Sequence, residues 1–314
     1  MSGLITLGET MGLFRATDLG SLAHQSGFRL AIGGAESNVA IGVSRLGGRA
    51  TWIGRVGSDG LGERVTRELR AESVDVRAII DHGARTGMML KERPVADFTR
   101  VSYYRSGSAG SRLQPSDLDA QLIAGADVLH VTGITPALSR SAAATVRLAI
   151  EIALSEGVPI SFDVNHRASL WGPDEDAARI YREIATQATI VFAGADEASL
   201  LVGAGSPDDL ALRIAELGAS QVLIKMGEDG CVARLDGTPM TVPAVSVRPL
   251  DTVGAGDAFV AGYLAEYLAG APVKVRLDTA VRAGAFACLG PGDWESNPRR
   301  ADLDLLNSSD PVLR

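Results

Sequence analysis

From residue 116 onward, short apolar runs alternate with longer segments in which apolar residues recur at helical spacing. The runs occupy residues 128–131, 160–164, 190–192 and 222–225. Each run has the length of a buried strand, and each intervening segment is long enough for a helix. Such alternation is typical of βαβ units, which build a mainly parallel sheet with helices on both faces. The pattern predicts an α/β fold whose ligands bind at the carboxyl ends of the strands.

The beginning of the chain also contains one segment with a strand pattern and one with a helix pattern. Residues 4–7 form a short apolar run closed by Gly8, which predicts a first buried strand. A helical stripe of apolar residues then extends between the glycine pairs at 33–34 and 47–48. Because glycine is common where a helix ends, this stretch predicts a helix bounded by the two pairs.

Two segments, at about residues 11–32 and 86–108, do not fit the alternation of buried strands and helices. The first is mixed and punctuated by glycines, and the second alternates bulky with polar residues, as strands do. We expect both to form a small β-sheet lid on a single domain that spans residues 1–314. Fixed-period repeats and Pro/Ser-rich linkers are absent from the sequence, which argues against a string of separate units.

The composition supports a packed core, since 46% of the 314 residues are hydrophobic and 22% are charged. A net charge of −8 opposes binding to nucleic acids or anionic membranes, so neither is expected as a partner. The sequence has no apolar run of ~18 residues and no secretory signal pattern, so we expect a cytoplasmic protein. Two cysteines, Cys231 and Cys288, are too few for a disulfide framework and are expected to be buried apolar side chains.

The strongest chemical pattern is DTVGAGDAF at residues 251–259, just before a helical stretch. A helix N-terminus carries partial positive charge, so the amides of Gly254, Ala255 and Gly256 can approach a phosphate closely. Asp257 would lie beside the transferred group, where a carboxylate can take the proton of an attacking hydroxyl. A tight turn in which Asp257 only complements the helix dipole is an alternative explanation of the same residues.

The whole string resembles the C-terminal signature of ribokinase-like (PfkB) carbohydrate kinases, and other segments are similar to that family in the same order. The resemblance implies a ribokinase-like three-layer αβα domain that uses ATP and Mg²⁺ to phosphorylate a small sugar. GGAESN at residues 33–38 is similar to the N-terminal signature, in which Gly33, Gly34 and Asn38 face the sugar; a helix start with an ordinary polar first turn is the alternative. KMGEDG at residues 225–230 is similar to the family segment that meets the nucleotide, and a plain hairpin turn is the alternative for the same residues. The resemblance assigns ATP binding to Lys225, Gly227, Gly230, Gly254 and Gly256.

Two further segments resemble 2-keto-3-deoxygluconate kinases within that family: YYRSGSA at residues 103–109 and FDVNHR at residues 162–167. Arginine presents a planar charged fork suited to a carboxylate, so two arginines near one small pocket favour a sugar acid. The resemblance implies that Tyr103 and Arg105 reach the substrate from the lid, and that Arg167 faces the sugar and the phosphoryl group. Taken singly, each arginine also fits a solvent-exposed or salt-bridged position.

Three acidic residues complete the predicted site. Asp293 is similar to a family aspartate that bonds the distal hydroxyls, and Glu197 to a glutamate associated with Mg²⁺ through water. Gly194 departs from the family there, because the motif has asparagine at its position. Asp251 matches one ligand of a monovalent cation, such as K⁺, that many relatives bind. A loop cap and a helix start are the alternatives for Asp293 and Glu197.

Together these residues predict a kinase that phosphorylates 2-keto-3-deoxygluconate at its terminal primary hydroxyl. Met89 departs from this prediction, because related keto-acid kinases have a tyrosine there and methionine cannot donate that hydrogen bond. The alternatives are a fructokinase or ribokinase, and a catalytically silent regulator that binds sugar or nucleotide. A dinucleotide-dependent oxidoreductase would need a Gly-x-Gly-x-x-Gly fingerprint, which the sequence lacks. We also expect a homo-oligomer, a dimer or higher.

Overall fold

The structure is a computed structural model that describes residues 3–95, 98–172 and 177–307. The strands are β1 (Leu4–Leu7), β2 (Met11–Leu19), β3 (Phe28–Gly33), β4 (Ala50–Gly57), β5 (Asp75–Asp81), β6 (Met88–Val95), β7 (Phe98–Tyr104), β8 (Val128–Thr132), β9 (Ile160–Asp163), β10 (Ile190–Gly194), β11 (Gln221–Lys225), β12 (Cys231–Leu235) and β13 (Thr238–Val242). The α-helices are α1 (Ala35–Arg45), α2 (Gly60–Ala71), α3 (Ala120–Ala124), α4 (Thr135–Leu138), α5 (Arg140–Ser155), α6 (Ala177–Ala185), α7 (Ala195–Val202), α8 (Pro207–Glu216), α9 (Ala255–Leu268) and α10 (Val273–Ala287). Short 3₁₀ helices lie at Leu22–His24, Gly110–Arg112, Pro115–Asp117, Ala168–Leu170, Gly227–Asp229 and Arg300–Asn307.

A nine-stranded sheet forms the centre, in the order β13-β12-β11-β10-β9-β8-β1-β4-β5. Neighbouring strands run parallel from β11 to β5, and β12 and β13 add an antiparallel edge. The apolar runs singled out in the sequence all lie in this sheet. The prediction of an α/β fold with a mainly parallel central sheet is confirmed.

Helices pack on both faces of the central sheet, because its strands are buried on both sides. Along β10, Val191 and Ala193 join a core with residues of α5, α6, α7 and α8. Their neighbours Ile190 and Phe192 join the opposite core, with residues of α1, α2, α9 and α10. The alternation of side chains along a strand therefore produces two helical layers around one sheet, as predicted.

A second, four-stranded sheet has the order β3-β2-β6-β7. Strands β2 and β6 pair in parallel, and each forms an antiparallel pair with its other neighbour. Met11, Leu13 and Met89 form a small buried cluster of their own on this sheet. The two predicted β segments thus form a separate small sheet, while its action as a lid stays a prediction.

The burial of the two cysteines and the search for membrane-spanning helices bear on two further predictions. Cys231 is buried as expected, but Cys288 is only half-buried, because it follows the end of α10 at the wall of a cavity. Within the described residues, no helix combines the length and apolarity required to cross a bilayer.

Candidate active site

Two cavities lie near the carboxyl ends of β9, β10 and β11. The small-sheet cavity, of about 440 Å³, includes Met89 and Tyr103 from the small sheet in its lining. The α9–α10 cavity, of about 790 Å³, lies between the turn after β11 and the two helices for which we name it. Lys225, Thr252 and Gly256 line both, so the cavities meet at the beginning of α9.

The turn before α9 requires glycine at position 254. Gly254 has φ 82°, in the left-handed region, and a Cβ there would lie 1.9 Å from the carbonyl oxygen of Asp293. The turn lets α9 start at Ala255 with its first amides at the junction of the two cavities. The N–H of Ala255 donates to the Thr252 carbonyl at 3.3 Å, whereas the next amides at the start of the helix have no intrahelical partner and are suited to an anion.

Asp257 in the first turn of α9 faces the small-sheet cavity and is held by two amide side chains. Its Oδ2 accepts a hydrogen bond from Asn38 Nδ2 at 2.8 Å, and its Oδ1 accepts one from Asn165 Nδ2 at 3.3 Å. Burial raises the pKa of Asp257 to about 7, against the lowering effect of Asn38, and the charge of Asp163 adds to the rise. A carboxylate with a pKa near neutrality is well matched to general-base catalysis.

Lys225, at the end of β11, lies between the cavities as an ion pair with Asp163. Its Nζ lies 2.8 and 2.9 Å from the two carboxylate oxygens of Asp163. Burial disfavours the charged ammonium, but Asp163, Glu197 and Asp257 together hold the pKa of Lys225 above its ordinary value. Lys225 therefore keeps its positive charge at the junction of the two cavities.

Arg105, just after β7, is oriented by a buried glutamate that the sequence analysis did not identify. Its Nε donates to Glu9 Oε2 at 2.7 Å, and Ser108 also binds the Glu9 carboxylate. Among the described residues, no hydrogen bond engages the terminal nitrogens of Arg105, which lines the small-sheet cavity. The ring of Tyr103 lies 5.7 Å from the guanidinium carbon. Arg105 can therefore present its outer edge to a ligand.

The glycine pair at the end of β3 lets the chain pass close to the base of the cavity. A Cβ on Gly33 would lie 2.4 Å from Met89 Cε and 2.8 Å from Asp293 Oδ2, and one on Gly34 would lie 2.3 Å from the Glu9 carbonyl oxygen. Gly34, Met89 and Asp293 line the cavity, whereas Gly33 is packed beside them. A side chain at either position would displace these neighbours, which line the cavity.

Glu197 and Arg167 also line the small-sheet cavity. Glu197 accepts hydrogen bonds from the backbone N–H groups of Gly194 at 2.7 Å and His166 at 2.8 Å, so it caps the start of α7. Arg167 is exposed and donates to the carbonyl of His166 at 2.9 Å. No group of three His, Cys, Asp or Glu side chains in the described residues is arranged to hold a metal. Mg²⁺ commonly needs only one or two carboxylates together with substrate phosphates, so Glu197 fits a water-mediated role.

Glycines and apolar side chains both contribute to the lining of the α9–α10 cavity. Gly227 and Gly230 both have positive φ, 58° and 95°, and a Cβ on Gly230 would lie 2.1 Å from the Val242 carbonyl oxygen. Phe259 and Val281 supply apolar wall. Of the residues predicted to bind ATP, Lys225, Gly227, Gly230 and Gly256 line this cavity, whereas Gly254 lines the small-sheet cavity.

Asp251, three residues before Gly254, is buried, and its carboxylate forms an ion pair with a lysine of the small sheet. Lys91 Nζ lies 2.7 Å from Asp251 Oδ2 and 3.2 Å from Asp293 Oδ1. Lys91 did not figure among the residues singled out in the sequence. The assignment of Asp251 to a monovalent cation stays a prediction, and its partner within the chain is an ammonium.

The comparison with protein families agrees with this geometry. Residues 1–300 match the model of the pfkB family carbohydrate kinases. The chain belongs to this family, as its sequence signatures predicted. It is a phosphotransferase whose acceptor is an alcohol group of a carbohydrate.

Its relatives include kinases for sugar acids and for a neutral sugar. The chain is 36% identical to 2-dehydro-3-deoxygluconokinase of Bacillus subtilis over 302 residues, which cover 95% of this chain and 93% of that protein. It is also 36% identical to 2-dehydro-3-deoxygluconokinase of Thermoproteus tenax, covering 98% and 94%. A probable fructokinase-2 of Arabidopsis thaliana is 34% identical, covering 83% and 80%.

Solved structures extend the similarity to the fold. A PfkB protein from Polaromonas sp. JS666 is 32% identical, with a TM-score of 0.88, covering 97% of this chain and 99% of that one. The fructokinase of Vibrio cholerae with fructose, ADP and a calcium ion is 26% identical, with a TM-score of 0.85, covering 98% and 99%.

Proposed function

We propose that this kinase transfers the γ-phosphoryl group of ATP to the terminal primary hydroxyl of 2-keto-3-deoxygluconate. The observation that carries the proposal is one cavity lined by two arginines and by the carboxylate of Asp257. Arg105 and Arg167 supply two guanidinium groups, which suit the carboxylate of a sugar acid and the transferred phosphoryl. The similarity to two 2-dehydro-3-deoxygluconokinases supports the same substrate.

The proposed reaction is a single displacement at the γ-phosphorus. The substrate hydroxyl oxygen forms a bond to phosphorus, its proton passes to Asp257, and the bond between phosphorus and the ADP oxygen breaks. The amides at the start of α9 and Lys225 bind phosphate oxygens while the transferred charge develops. Mg²⁺, near Glu197 and the nucleotide phosphates, would neutralise part of their charge when bound. Positioning and charge stabilisation therefore account for most of the catalysis.

Recognition of an acid follows from the way Glu9 holds Arg105. Because Glu9 occupies the Nε edge, the remaining edge of the guanidinium stays available for a carboxylate. Glu9 also balances part of the charge, so the pocket does not rely on an unpaired buried arginine. We propose that Asp293 and the backbone at Gly34 bind the hydroxyls of the substrate.

The second candidate is a kinase for a neutral sugar such as fructose. Met89 favours it, because a methionine in the cavity lining offers no hydrogen-bond donor where keto-acid kinases have tyrosine. The similarity to a plant fructokinase is the other argument. The two candidates differ in whether Arg105 matters for turnover.

A substrate panel with ATP and Mg²⁺, followed by coupled ADP release, tests the proposal. We expect the highest kcat/KM for 2-keto-3-deoxygluconate, and a loss of about 100-fold in Arg105→Ala, since a charge-paired contact is removed. Arg105→Lys keeps a cation beside Glu9 but should still show most of the loss in kcat/KM, because lysine lacks the planar guanidinium that binds a carboxylate through two donors. Arg100→Ala, on the exposed edge of the small sheet, is the control.

Two outcomes would overturn the assignment. Fructose or ribose as the better substrate, with kcat/KM unaffected by Arg105→Ala, would favour the neutral-sugar kinase. If none of the sugars on the panel leads to release of ADP, the result would support a catalytically silent binding protein.

We further infer that the small sheet closes over the sugar and contacts a second copy of the chain. Val95 and Phe98 are cross-strand partners in β6 and β7, and their side chains are 56% and 70% exposed. Single exposed apolar residues are common, but adjacent ones favour a contact surface. Sedimentation of the protein and of Phe98→Glu would test this, with a monomeric native protein as the contrary result. The cytoplasmic location and the single-domain organisation remain predictions.

A further inference from the structure

A buried lysine joins the small sheet to the turn that begins α9. Lys91 lies in the middle of β6, where its register partners are Arg15 on β2 and Val101 on β7. Its side chain is 2% exposed, although lysine almost never lies fully buried unless it is paired. Its burial therefore requires oppositely charged partners.

Two carboxylates provide that pairing, and they come from segments on opposite sides of α9 and α10. Lys91 Nζ lies 2.7 Å from Asp251 Oδ2 and 3.2 Å from Asp293 Oδ1. Asp251 precedes α9, and Asp293 follows α10. The ammonium thus adds a side-chain link between two loops that are also joined by backbone hydrogen bonds from Leu250 and Asp251 to the Cys288 carbonyl.

Both aspartates contact the turn at Gly254, Asp251 through its carboxylate and Asp293 through its backbone. Asp251 Oδ1 accepts a hydrogen bond from the N–H of Val253 at 3.2 Å, the residue just before the turn. The backbone of Asp293 packs against Gly254 so closely that no side chain would fit there. A shift of either aspartate would move the amides that face the transferred phosphoryl group.

The charges explain why a cation is needed at this point. Asp251 and Asp293 are 8% exposed, and Glu295 adds a third carboxylate whose Oε2 accepts the N–H of Asp293 at 3.0 Å. Buried carboxylates without a cation would repel one another and lose hydration. In the described residues, Lys91 supplies the positive charge that contacts both aspartates.

We propose that the Lys91 ammonium is a built-in monovalent cation that positions the Gly254 turn and Asp293, so that phosphoryl transfer needs no cation of this kind from solution. Lys91 acts through the two aspartates and is a positioning residue. The inference rests on the phosphotransferase activity of the family and is independent of which sugar accepts the phosphoryl group.

Lys91→Met removes the charge but keeps the stem, and leaves a space the size of an ammonium. With tetramethylammonium chloride as the salt, whose cation is too large for that space, we expect kcat to fall about 100-fold, as for a misplacement of ~1 Å. Ammonium or potassium chloride at equal ionic strength should restore about tenfold or more, with saturation. The wild-type rate should be the same in all three salts. Arg100→Met, which removes an exposed cation of the same sheet, should behave like the wild type.

A melting experiment gives a second readout that needs no sugar. Ammonium should raise the Tm of Lys91→Met in a saturable way and leave that of the wild-type protein unchanged, because only the variant has the vacancy. If the wild type requires added K⁺ for turnover, the inference is wrong. It is equally wrong if Lys91→Met keeps full kcat in tetramethylammonium, or if neither its kcat nor its Tm responds to small cations.

Discussion

The raised pKa of Asp257 makes the pH dependence of turnover a sharp test of the proposed base. The carboxylate must be deprotonated to accept the hydroxyl proton, so the rate should rise with pH through the folded-state pKa of about 7. With both substrates well below their KM, kcat/KM reports the free enzyme, and at pH 6 it should be roughly one-tenth of its plateau. An aspartate with its ordinary pKa of 3.8 would give a flat profile over the same range.

The residues around Asp257 show how the midpoint can be assigned to this group. Asn38 lowers the pKa by donating to the carboxylate, so Asn38→Ala should move the midpoint to higher pH. Arg100→Ala, distant from the carboxylate, should leave it in place. Asp257→Asn should nearly abolish turnover while ATP binding persists, since a positioned base is worth ~10²–10⁴-fold. A flat profile between pH 5 and 8, or near-normal turnover in Asp257→Asn, would refute the reasoning.

Stability supplies an independent check with a definite sign. Between pH 3.8 and about 7, the unfolded chain releases the Asp257 proton and the folded chain keeps it, so unfolding becomes easier as pH rises. Asparagine cannot ionise. The Tm of Asp257→Asn relative to the wild type should therefore increase from pH 4 to 7 and stay constant above. A difference independent of pH would show that the folded carboxyl titrates normally.

Three shorter predictions concern other parts of the site. Glu9→Ala should lower the free energy of unfolding by about 3–5 kcal/mol, measured by urea denaturation, because it leaves Arg105 buried without its partner; a loss below about 1 kcal/mol would contradict the pairing. Gly254→Ala should reduce kcat about 100-fold by displacing the turn, whereas Gly60→Ala, with open space around its Cβ, should not; equal rates would mean that the turn is not part of the catalytic machinery. Iodoacetamide should alkylate Cys288 slowly, because burial raises the pKa of its thiol, and ATP should slow the reaction further; labelling that ATP does not affect would separate that cavity from the nucleotide site.

The sequence could predict the parts of the fold in which local pattern and tertiary environment agree. Parallel strands buried on both faces read as continuous apolar runs, so β8, β9, β10 and β11 were recognisable. β4 was not singled out, because Arg55 interrupts it with a charge. That charge is bound by Asp117 at 2.6 Å and Asp81 at 3.1 Å, partners that sequence alone does not bring together.

The same distinction separates the recognised site residues from those that were missed. The turn at Gly254 and the carboxylate of Asp257 belong to one contiguous string, so their proximity could be predicted. Glu9 meets Arg105 across 96 positions, and Lys91 meets Asp293 across 202. Such pairs depend on where the small sheet lies against the central one, which no local period encodes.

The two cavities meet at the start of α9, which agrees with the proposed direct transfer of the phosphoryl group. In a direct transfer, the attacking and leaving oxygens lie roughly in line on opposite sides of the phosphorus, so the two substrates must approach from different directions. The small-sheet cavity contains Asp257, the proposed base, and the α9–α10 cavity contains the apolar wall that we propose for the nucleotide. Their shared residues, Lys225, Thr252 and Gly256, lie at the start of α9, where backbone amides and an ammonium can bind the phosphoryl oxygens. If each cavity binds one of the two substrates as proposed, the substrates meet at the N-terminus of α9.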